Sequence, residues 1–274
     1  RLVNQLLDMR KVDNGQMKLH FLSTDVVYFI KDIMNSFENL ATSKNIEFKL
    51  VSAEAASNLW IDQGNFDKII FNILSNAFKH TPDNGRITIR TSRPIKNEKV
   101  LQDNIKEYIE FTIENSGKSV EESHLDRLFD RFFQVDIRDA KEGSGVGLNL
   151  AKMLVELHHG DIRAYNTESG MAFSIRIPVG CEHLSDEEMT RPTNHSGLYT
   201  KMSEHNSIED VTYTRKEDEE SCKQTKTKKN IVLIDDDSEM RAYLKLELQA
   251  VYNVETFASA KDAWSTISTG IPDA

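Results

Sequence analysis

The sequence lacks several features that would place it in particular classes of protein. It has only two cysteines in 274 residues, Cys181 and Cys222, which is too few for a disulfide framework or a cysteine-rich metal site. No apolar run approaches the ~18 residues of a membrane span. Acidic residues outnumber basic ones, 44 to 34, and no segment has the basic excess of a nucleic-acid-binding surface. We therefore expect no direct contact with nucleic acid.

Two common nucleotide-binding motifs are also missing. The sequence has no P-loop, and its glycine-rich segment at 143–147 lacks the position and spacing of the dinucleotide-binding fingerprint. The chain begins with Arg1 rather than Met, so we expect a fragment of a longer protein. Its length fits one or two domains of the usual ~100–200 residues.

Hydrophobic periodicity predicts helices and strands in mixed order. Helices are predicted over 1–11, 25–43, 66–79 and 147–159, and strands over 46–50, 58–62, 86–91, 108–114, 163–165 and 172–179. Because the order is not a strict βαβ alternation, we predict an α+β fold. It would be a two-layer sandwich of a mixed β-sheet with helices on one face.

The composition changes after residue 180. Residues 181–229 are rich in Ser, Thr, Glu and Lys and poor in strong hydrophobes, which predicts a disordered linker. A linker that docks on a partner is the alternative. From Asn230 a buried strand, an acidic turn and an amphipathic helix precede a second strand and helix, which predicts the opening of a parallel α/β domain that stops at Ala274.

The helix predicted over 66–79 carries functional side chains on one face. Asn72, Asn76 and Lys79 share that face because their spacings are four and three residues. An asparagine oxygen suits Mg²⁺, and a lysine ammonium suits phosphate. Taken alone, the pattern also fits a solvated polar face.

A glycine-rich segment leads directly into the helix predicted over 147–159. It reads Gly143-Ser144-Gly145-Val146-Gly147-Leu148. Glycines let backbone N–H groups approach phosphates, and a helix N-terminus adds donors and a favourable dipole. A plain flexible turn is the alternative interpretation.

A polar turn, Asn115-Ser116-Gly117, closes the strand predicted over 108–114. A polar side chain beside a glycine that permits close approach can recognise the edge of a base. A simple turn is the alternative.

Between this turn and the glycine-rich segment, three phenylalanines interrupt a stretch full of charge. Residues 118–144 are predicted to form a mobile flap, with Phe129, Phe132 and Phe133 as its apolar anchor.

Taken together and in order, these segments resemble the N, G1, F and G2 boxes of the sensor histidine kinase catalytic domain. That domain has the ATPase fold shared with gyrase-type proteins. The resemblance covers roughly residues 23–180, and it is carried by NILSNAFKHT (72–81), LFDRFFQ (128–134), GSGVGLNLAKMLVELHHGDI (143–162) and GMAFSIRIP (170–178). It implies ATP and Mg²⁺ as ligands.

The resemblance also implies roles for individual residues. Asn76 would bind the Mg²⁺ that bridges the triphosphate, and Asn72 would assist on the same face. Lys79 would contact phosphate, and His80 would lie against the ribose or adenine. The glycine-rich segment would hold the phosphates at Gly143, Gly145, Gly147 and Leu148.

The polar turn would recognise adenine through Asn115, with Gly117 beside it. Asn115 stands where the family usually has an aspartate, and Ser119 replaces a glycine of the same box. These departures support an alternative, a degenerate nucleotide-binding sensor without phosphotransfer. A third hypothesis is an interaction fragment in which the linker and the second domain matter most.

The resemblance extends to the two ends of the chain. Residues 1–22 look like the end of a dimerisation helix hairpin, and residues 230–274 look like the start of a response-regulator receiver in which Asp235 and Asp236 bind Mg²⁺. The order of a kinase and then a receiver is that of a hybrid sensor kinase. It implies phosphorylation of a histidine and relay to an aspartate.

The two phosphoacceptors are expected outside the sequence. The histidine would lie upstream of Arg1, since the neighbours of His20 do not match the family's acceptor sequence, and the receiver aspartate would lie beyond Ala274. The expected partners are the chain's own dimerisation domain, in a homodimer, and a receiver. We expect a cytoplasmic location, with membrane attachment only through a missing upstream sensor.

Overall fold

The computed structural model describes residues 2–53, 58–97, 105–135, 145–189, 228–249, 251–269 and 272. The chain divides into two compact units, residues 1–215 and residues 216–274. Among the described helices, none has both the length and the apolar content needed to cross a bilayer.

The helices and strands of the first unit lie close to their predicted positions. Its helices are α1 (Leu2–Asp13), α2 (Val26–Ser43), α3 (Gln63–His80), α4 (Glu122–Leu125), a 3₁₀ turn (Asp126–Phe129) and α5 (Gly147–Leu157). Its strands are β1 (Leu22–Asp25), β2 (Glu47–Ser52), β3 (Asn58–Ile61), β4 (Arg86–Thr91), β5 (Ile95–Lys96), β6 (Glu107–Ser116), β7 (Asp161–Asn166) and β8 (Gly170–Pro178).

Six of the strands form one mixed sheet. Its order is β2-β4-β6-β8-β7, and β5 pairs with β6. Strands β2 and β4 are parallel, whereas the other pairs are antiparallel. The predicted α+β fold with a mixed sheet is confirmed. A separate antiparallel ribbon joins β1 to β3, and its first strand was not predicted.

Strand β6 shows why one face of the sheet is covered by helices. Every second side chain is buried, from Ile109 to Asn115, and those between them are half-buried. The covered face meets the helices through aromatic contacts, such as Phe111 against Phe66 of α3 at 5.8 Å between ring centroids. The other face carries cross-strand ion pairs, including Arg176–Glu110 at 2.8 Å.

The residue that caps helix α3, Asp62, contacts the buried His158. The Asp62 carboxylate accepts from the N–H of Asn65 at 3.0 Å and so caps the helix. The N–H of Asp62 donates to Nε2 of His158, whose Nδ1 lies 2.7 Å from the carbonyl oxygen of Leu154. Burial lowers the pKa of His158, so the ring is neutral and donates from Nδ1.

The folded first unit continues past residue 180, into the segment predicted to be a disordered linker. Residues 181–189 form turns, and Phe21 pairs with Met189 in an isolated parallel bridge. Leu184 packs with Leu19 and Phe21 in a small hydrophobic cluster. Residues 181–189 therefore belong to the folded first unit and not to a disordered linker, because these few hydrophobes suffice to dock a short segment. Residues 190–227 lie outside the described residues.

The second unit has the predicted order of elements. Strand β9 (Asn230–Ile234), helix α6 (Ser238–Leu248), strand β10 (Asn253–Phe257) and helix α7 (Ala260–Thr269) follow one another, and β9 and β10 are parallel. A helix that crosses over between two strands makes those strands parallel, as β9 and β10 are.

Candidate nucleotide site

The second half of α3 carries the first group of predicted site residues. Asn72 is buried, with 8% of its surface exposed, whereas Asn76 and Lys79 are half-buried and His80 is exposed. The apolar side of the helix, which includes Phe66 and other fully buried residues, packs into the core. The polar residues therefore run from the core to the surface along the helix.

Asn72 joins three helices. Its Oδ1 accepts a hydrogen bond of 2.9 Å from Nε2 of Gln5 in α1. A Cβ atom added to Gly147 of α5 would lie 3.3 Å from the same oxygen. A second link between α1 and α3 is the ion pair of Asp8 and Lys68 at 2.7 Å. The sequence did not predict this junction, and the part of Asn72 in metal binding stays a prediction.

The polar turn after β6 meets the end of α3. Asn115 is 3% exposed and belongs to the covered face of the sheet. A Cβ atom on Gly117 would lie only 2.5 Å from the carbonyl oxygen of His80. Glycine is required at 117 by this backbone contact. The contact places the predicted base-reading residue beside the predicted phosphate-binding helix.

The glycine-rich segment contacts the phenylalanine segment, residues 128–134, which carries Phe129, Phe132 and Phe133. Gly145 has a φ of +65°, and a Cβ atom there would come within 2.6 Å of the backbone of Phe132. Gly147 opens α5, so the N–H groups of its first turn, including that of Leu148, are candidate anion donors. Gly143 and Ser144 lie outside the described residues.

The predicted apolar anchor of the flap is confirmed. Phe129 is 6% exposed, and its ring centroid lies 6.2 Å from that of Phe173 in β8. Phe133 has the Arg127 guanidinium 4.4 Å from its ring centroid and the His124 ring at 5.6 Å. The predicted flap includes residues 136–144, which lie outside the described residues.

Asn166 of β7 fastens the start of this segment to the sheet. Its Oδ1 accepts from the N–H of Val120 at 3.0 Å, and its Nδ2 donates to the Val120 carbonyl at 2.7 Å. Sequence reasoning missed Asn166. No sequence signal marks it, because its partner lies 46 residues away.

The donor chemistry of the site suits a hard cation shared with phosphate. In the described parts of the chain, no group of three or more His, Cys, Asp or Glu side chains could hold a metal ion. Amide oxygens such as that of Asn76 suit Mg²⁺, which commonly keeps waters and takes further ligands from substrate phosphates. The residues present fit Mg²⁺ delivered with a nucleotide.

The acidic turn of the second unit makes local hydrogen bonds. Asp235 accepts from the N–H of Asp237 at 2.9 Å, and Asp237 accepts from the N–H of Met240 at 3.1 Å near the start of α6. Asp236 follows Asp235 in the same turn. Magnesium binding by Asp235 and Asp236 stays a prediction.

A family model matches the part of the chain that holds the candidate site. Residues 61–180 match the family of histidine kinase-, DNA gyrase B- and HSP90-like ATPases. This range contains the polar end of α3, the turn after β6, the phenylalanine segment and the start of α5.

Two curated proteins that are similar to this chain are histidine kinases. Histidine kinase P4 of Formosa agariphila is 29% identical over 99% of this chain and 19% of its own length. Sensor histidine kinase TmoS of Ectopseudomonas mendocina is 31% identical over 70% of this chain and 19% of its own length. The chain thus spans about a fifth of the length of these relatives.

Among solved structures, histidine kinase ThkA in complex with the response regulator protein TrrA is similar in fold. The match has a TM-score of 0.52 and 20% identity, and it covers 66% of this chain and 49% of that one. At this sequence identity the similarity concerns the fold.

Proposed function

We propose that residues 23–180 bind Mg·ATP and form the catalytic region of a histidine kinase. One observation carries the proposal: close contacts at three glycines link α3, the polar turn, the glycine-rich segment and the phenylalanine segment, which are far apart in sequence. Gly117 touches the backbone of His80, Gly147 lies against Asn72, and Gly145 lies against Phe132. A site of glycine backbones, amide side chains and a lysine suits a metal–triphosphate ligand.

Each side chain would have a distinct task in binding. Asn76 would hold Mg²⁺, with Asn72 assisting from the same helix, and Lys79 would neutralise phosphate charge. His80 would lie against the ribose or adenine. The backbone of Gly143, Gly145, Gly147 and Leu148 would hold the phosphates.

Adenine recognition is proposed for Asn115. Its amide oxygen can accept a hydrogen bond from the adenine amino group. Burial of Asn115 strengthens such a bond, because water does not compete for it.

In the whole protein, the γ-phosphoryl group would pass to a histidine. Catalysis would consist of positioning the phosphoryl group and neutralising its charge, and bound Mg²⁺ supplies part of that neutralisation. The acceptor would belong to a dimerisation hairpin of which α1 is the end.

We also propose that residues 230–274 begin a receiver domain, which would make the protein a hybrid kinase that relays phosphate to an aspartate. The parallel β9–β10 pair and the acidic turn at Asp235 and Asp236 support this proposal. In the solved ThkA complex, the partner of that kinase is a response regulator protein. Asp235 and Asp236 would bind the receiver's Mg²⁺.

A second candidate is a nucleotide sensor without phosphotransfer, which Asn115 in place of an aspartate favours. Incubation of the chain with γ-labelled ATP and a separately supplied histidine-containing hairpin domain distinguishes the two. The kinase proposal expects label on the hairpin histidine, and loss of it in Asn76→Ala. Nucleotide binding without any transfer to the hairpin would favour the sensor.

A further inference from the structure

Asn149 ties the first turn of α5 to the phenylalanine segment. Its Nδ2 donates a hydrogen bond of 2.7 Å to the carbonyl oxygen of Phe129, twenty residues earlier in the chain. Phe129 ends the 3₁₀ turn, and its ring is anchored on Phe173 of the sheet. The amide therefore fixes a backbone group that is itself held by the core.

A second hydrogen bond joins the same two segments, four residues before Asn149, at Gly145. The N–H of Phe132 donates to the carbonyl oxygen of Gly145 at 3.0 Å. Both residues have positive φ, 59° and 65°, and for a phenylalanine this conformation is uncommon. The two hydrogen bonds together hold the backbone of 129–132 against that of 145–149.

The oxygen of the Asn149 amide is left without a partner among the described residues when the nitrogen bonds Phe129, and this reduces the stability of the native protein. Its Oδ1 is buried and has no hydrogen-bond partner among the residues that the structure describes. A buried acceptor that is left unsatisfied lowers the stability of the native protein. Asparagine is also a poorer helix former than alanine or leucine. Stability alone would thus favour an apolar residue here.

We propose that Asn149 is a positioning residue of the nucleotide site. Through the carbonyl of Phe129 it holds the phenylalanine segment on the first turn of α5, and this fixes the backbone of Gly145 and Gly147 where the phosphates bind. The inference rests on the proposed function, because it assigns the phosphates to these two glycines.

Two substitutions of Asn149, made in the full 274-residue chain, test the proposal. Asn149→Ala removes the side chain, and Asn149→Leu keeps a similar shape without the amide donor. Calorimetry measures the affinities for Mg·ATP and for adenosine, which has no phosphates, and thermal unfolding without nucleotide measures stability. Glu156→Ala, at an exposed position of the same helix, is the control.

Both variants are expected to bind Mg·ATP about three- to tenfold more weakly, the value of one net hydrogen bond. Their affinity for adenosine and that of the control for both ligands should stay within about twofold of wild type. The melting temperature should change little, because the loss of the hydrogen bond to Phe129 is offset by the removal of the unsatisfied Oδ1.

Unchanged Mg·ATP affinity in both variants overturns the proposal. The proposal is also overturned if Asn149→Leu binds Mg·ATP as wild type does while Asn149→Ala binds it more weakly, because the packing of the side chain alone would then explain the presence of Asn149. A lower melting temperature with equal losses for both ligands assigns Asn149 a structural role and also overturns it. Wild type that binds no Mg·ATP refutes the proposed function itself, and this inference falls with it.

Discussion

Gly117 lies so close to His80 that a Cβ atom at residue 117 would be 2.5 Å from the carbonyl oxygen of residue 80. The contact joins the end of β6 to the end of α3. It explains how Asn115, at the end of a strand, and Asn76, on a helix, can both belong to the proposed site.

Substitution Gly117→Ala should separate these two elements. Because the obstacle is backbone and not a flexible side chain, the turn must shift, which we expect to cost about 1–3 kcal/mol of unfolding free energy and to weaken Mg·ATP binding. Chemical denaturation and calorimetry measure the two effects. Ser36→Ala, at an exposed position of α2, is the control and should behave as wild type. An unchanged Gly117→Ala protein would show that the close contact is not needed.

Substitution Asn76→Ala should abolish Mg·ATP binding and leave the fold intact. Asn76 is half-buried on the polar side of α3, so the core loses little. Losing one hard oxygen ligand of the metal–phosphate group should cost ~2–4 kcal/mol of binding free energy. Asn39→Ala, at an exposed position of α2, should bind as wild type does. Equal affinities of Asn76→Ala and wild type in a calorimetric titration would remove Asn76 from the site.

Substitution Asn115→Asp should have opposite effects on binding and on stability. A carboxylate accepts from the adenine amino group with a full charge, so ATP should bind more tightly by ~0.5–1.5 kcal/mol. Since residue 115 is 3% exposed, the carboxylate loses its hydration, and the free energy of unfolding without nucleotide should fall. Titration with ATP and denaturation without ligand measure the two changes. Weaker ATP binding by the aspartate variant would contradict this account of adenine recognition.

Stability should fall in mild acid because of His158. Burial lowers the pKa of His158 below the usual 6.5, so below that pH the unfolded chain binds more protons than the native protein does. The stabilising contribution is complete above pH 6.5 and is lost as the pH falls toward the native pKa. The slope from one such group reaches about 1.4 kcal/mol per pH unit.

The variant His158→Gln should lose part of this pH dependence when urea denaturation is compared at pH 7.5 and about pH 5.5. His183, whose pKa is also lowered by burial, should supply a remaining slope of the same sign. His20→Gln, at an exposed position, is the matched control. An identical slope in His158→Gln and wild type would exclude His158 as the source.

Local patterns in the sequence were enough to predict most of the sheet and its helices. Alternation predicted β4 and β6, and the stripe that includes Phe66 and Ile70 predicted α3, because burial on one face leaves a periodic trace. The cap of α2 is local as well, since the Asp25 carboxylate accepts from the N–H groups of Val27 and Tyr28. Such features depend only on neighbours in sequence.

Contacts between distant residues could not be predicted in this way. The bond from Gln5 to Asn72 depends on how α1 packs on α3, and the docking of Leu184 depends on a cluster built from residues 17–21. The contact of Asn149 could not be predicted either. The first turn of a helix tolerates asparagine, and nothing nearby in sequence identifies Phe129 as its partner. Polar residues of this kind acquire their roles only from the fold.

Titration of the chain with Mg·ATP and with Mg·GTP tests the central claim most directly. The account predicts saturable binding of Mg·ATP, weaker binding of Mg·GTP, and loss of ATP binding in Asn76→Ala. Failure of wild type to bind Mg·ATP would contradict the claim that these segments form a nucleotide site, and equal affinity for the two nucleotides would contradict adenine recognition by Asn115.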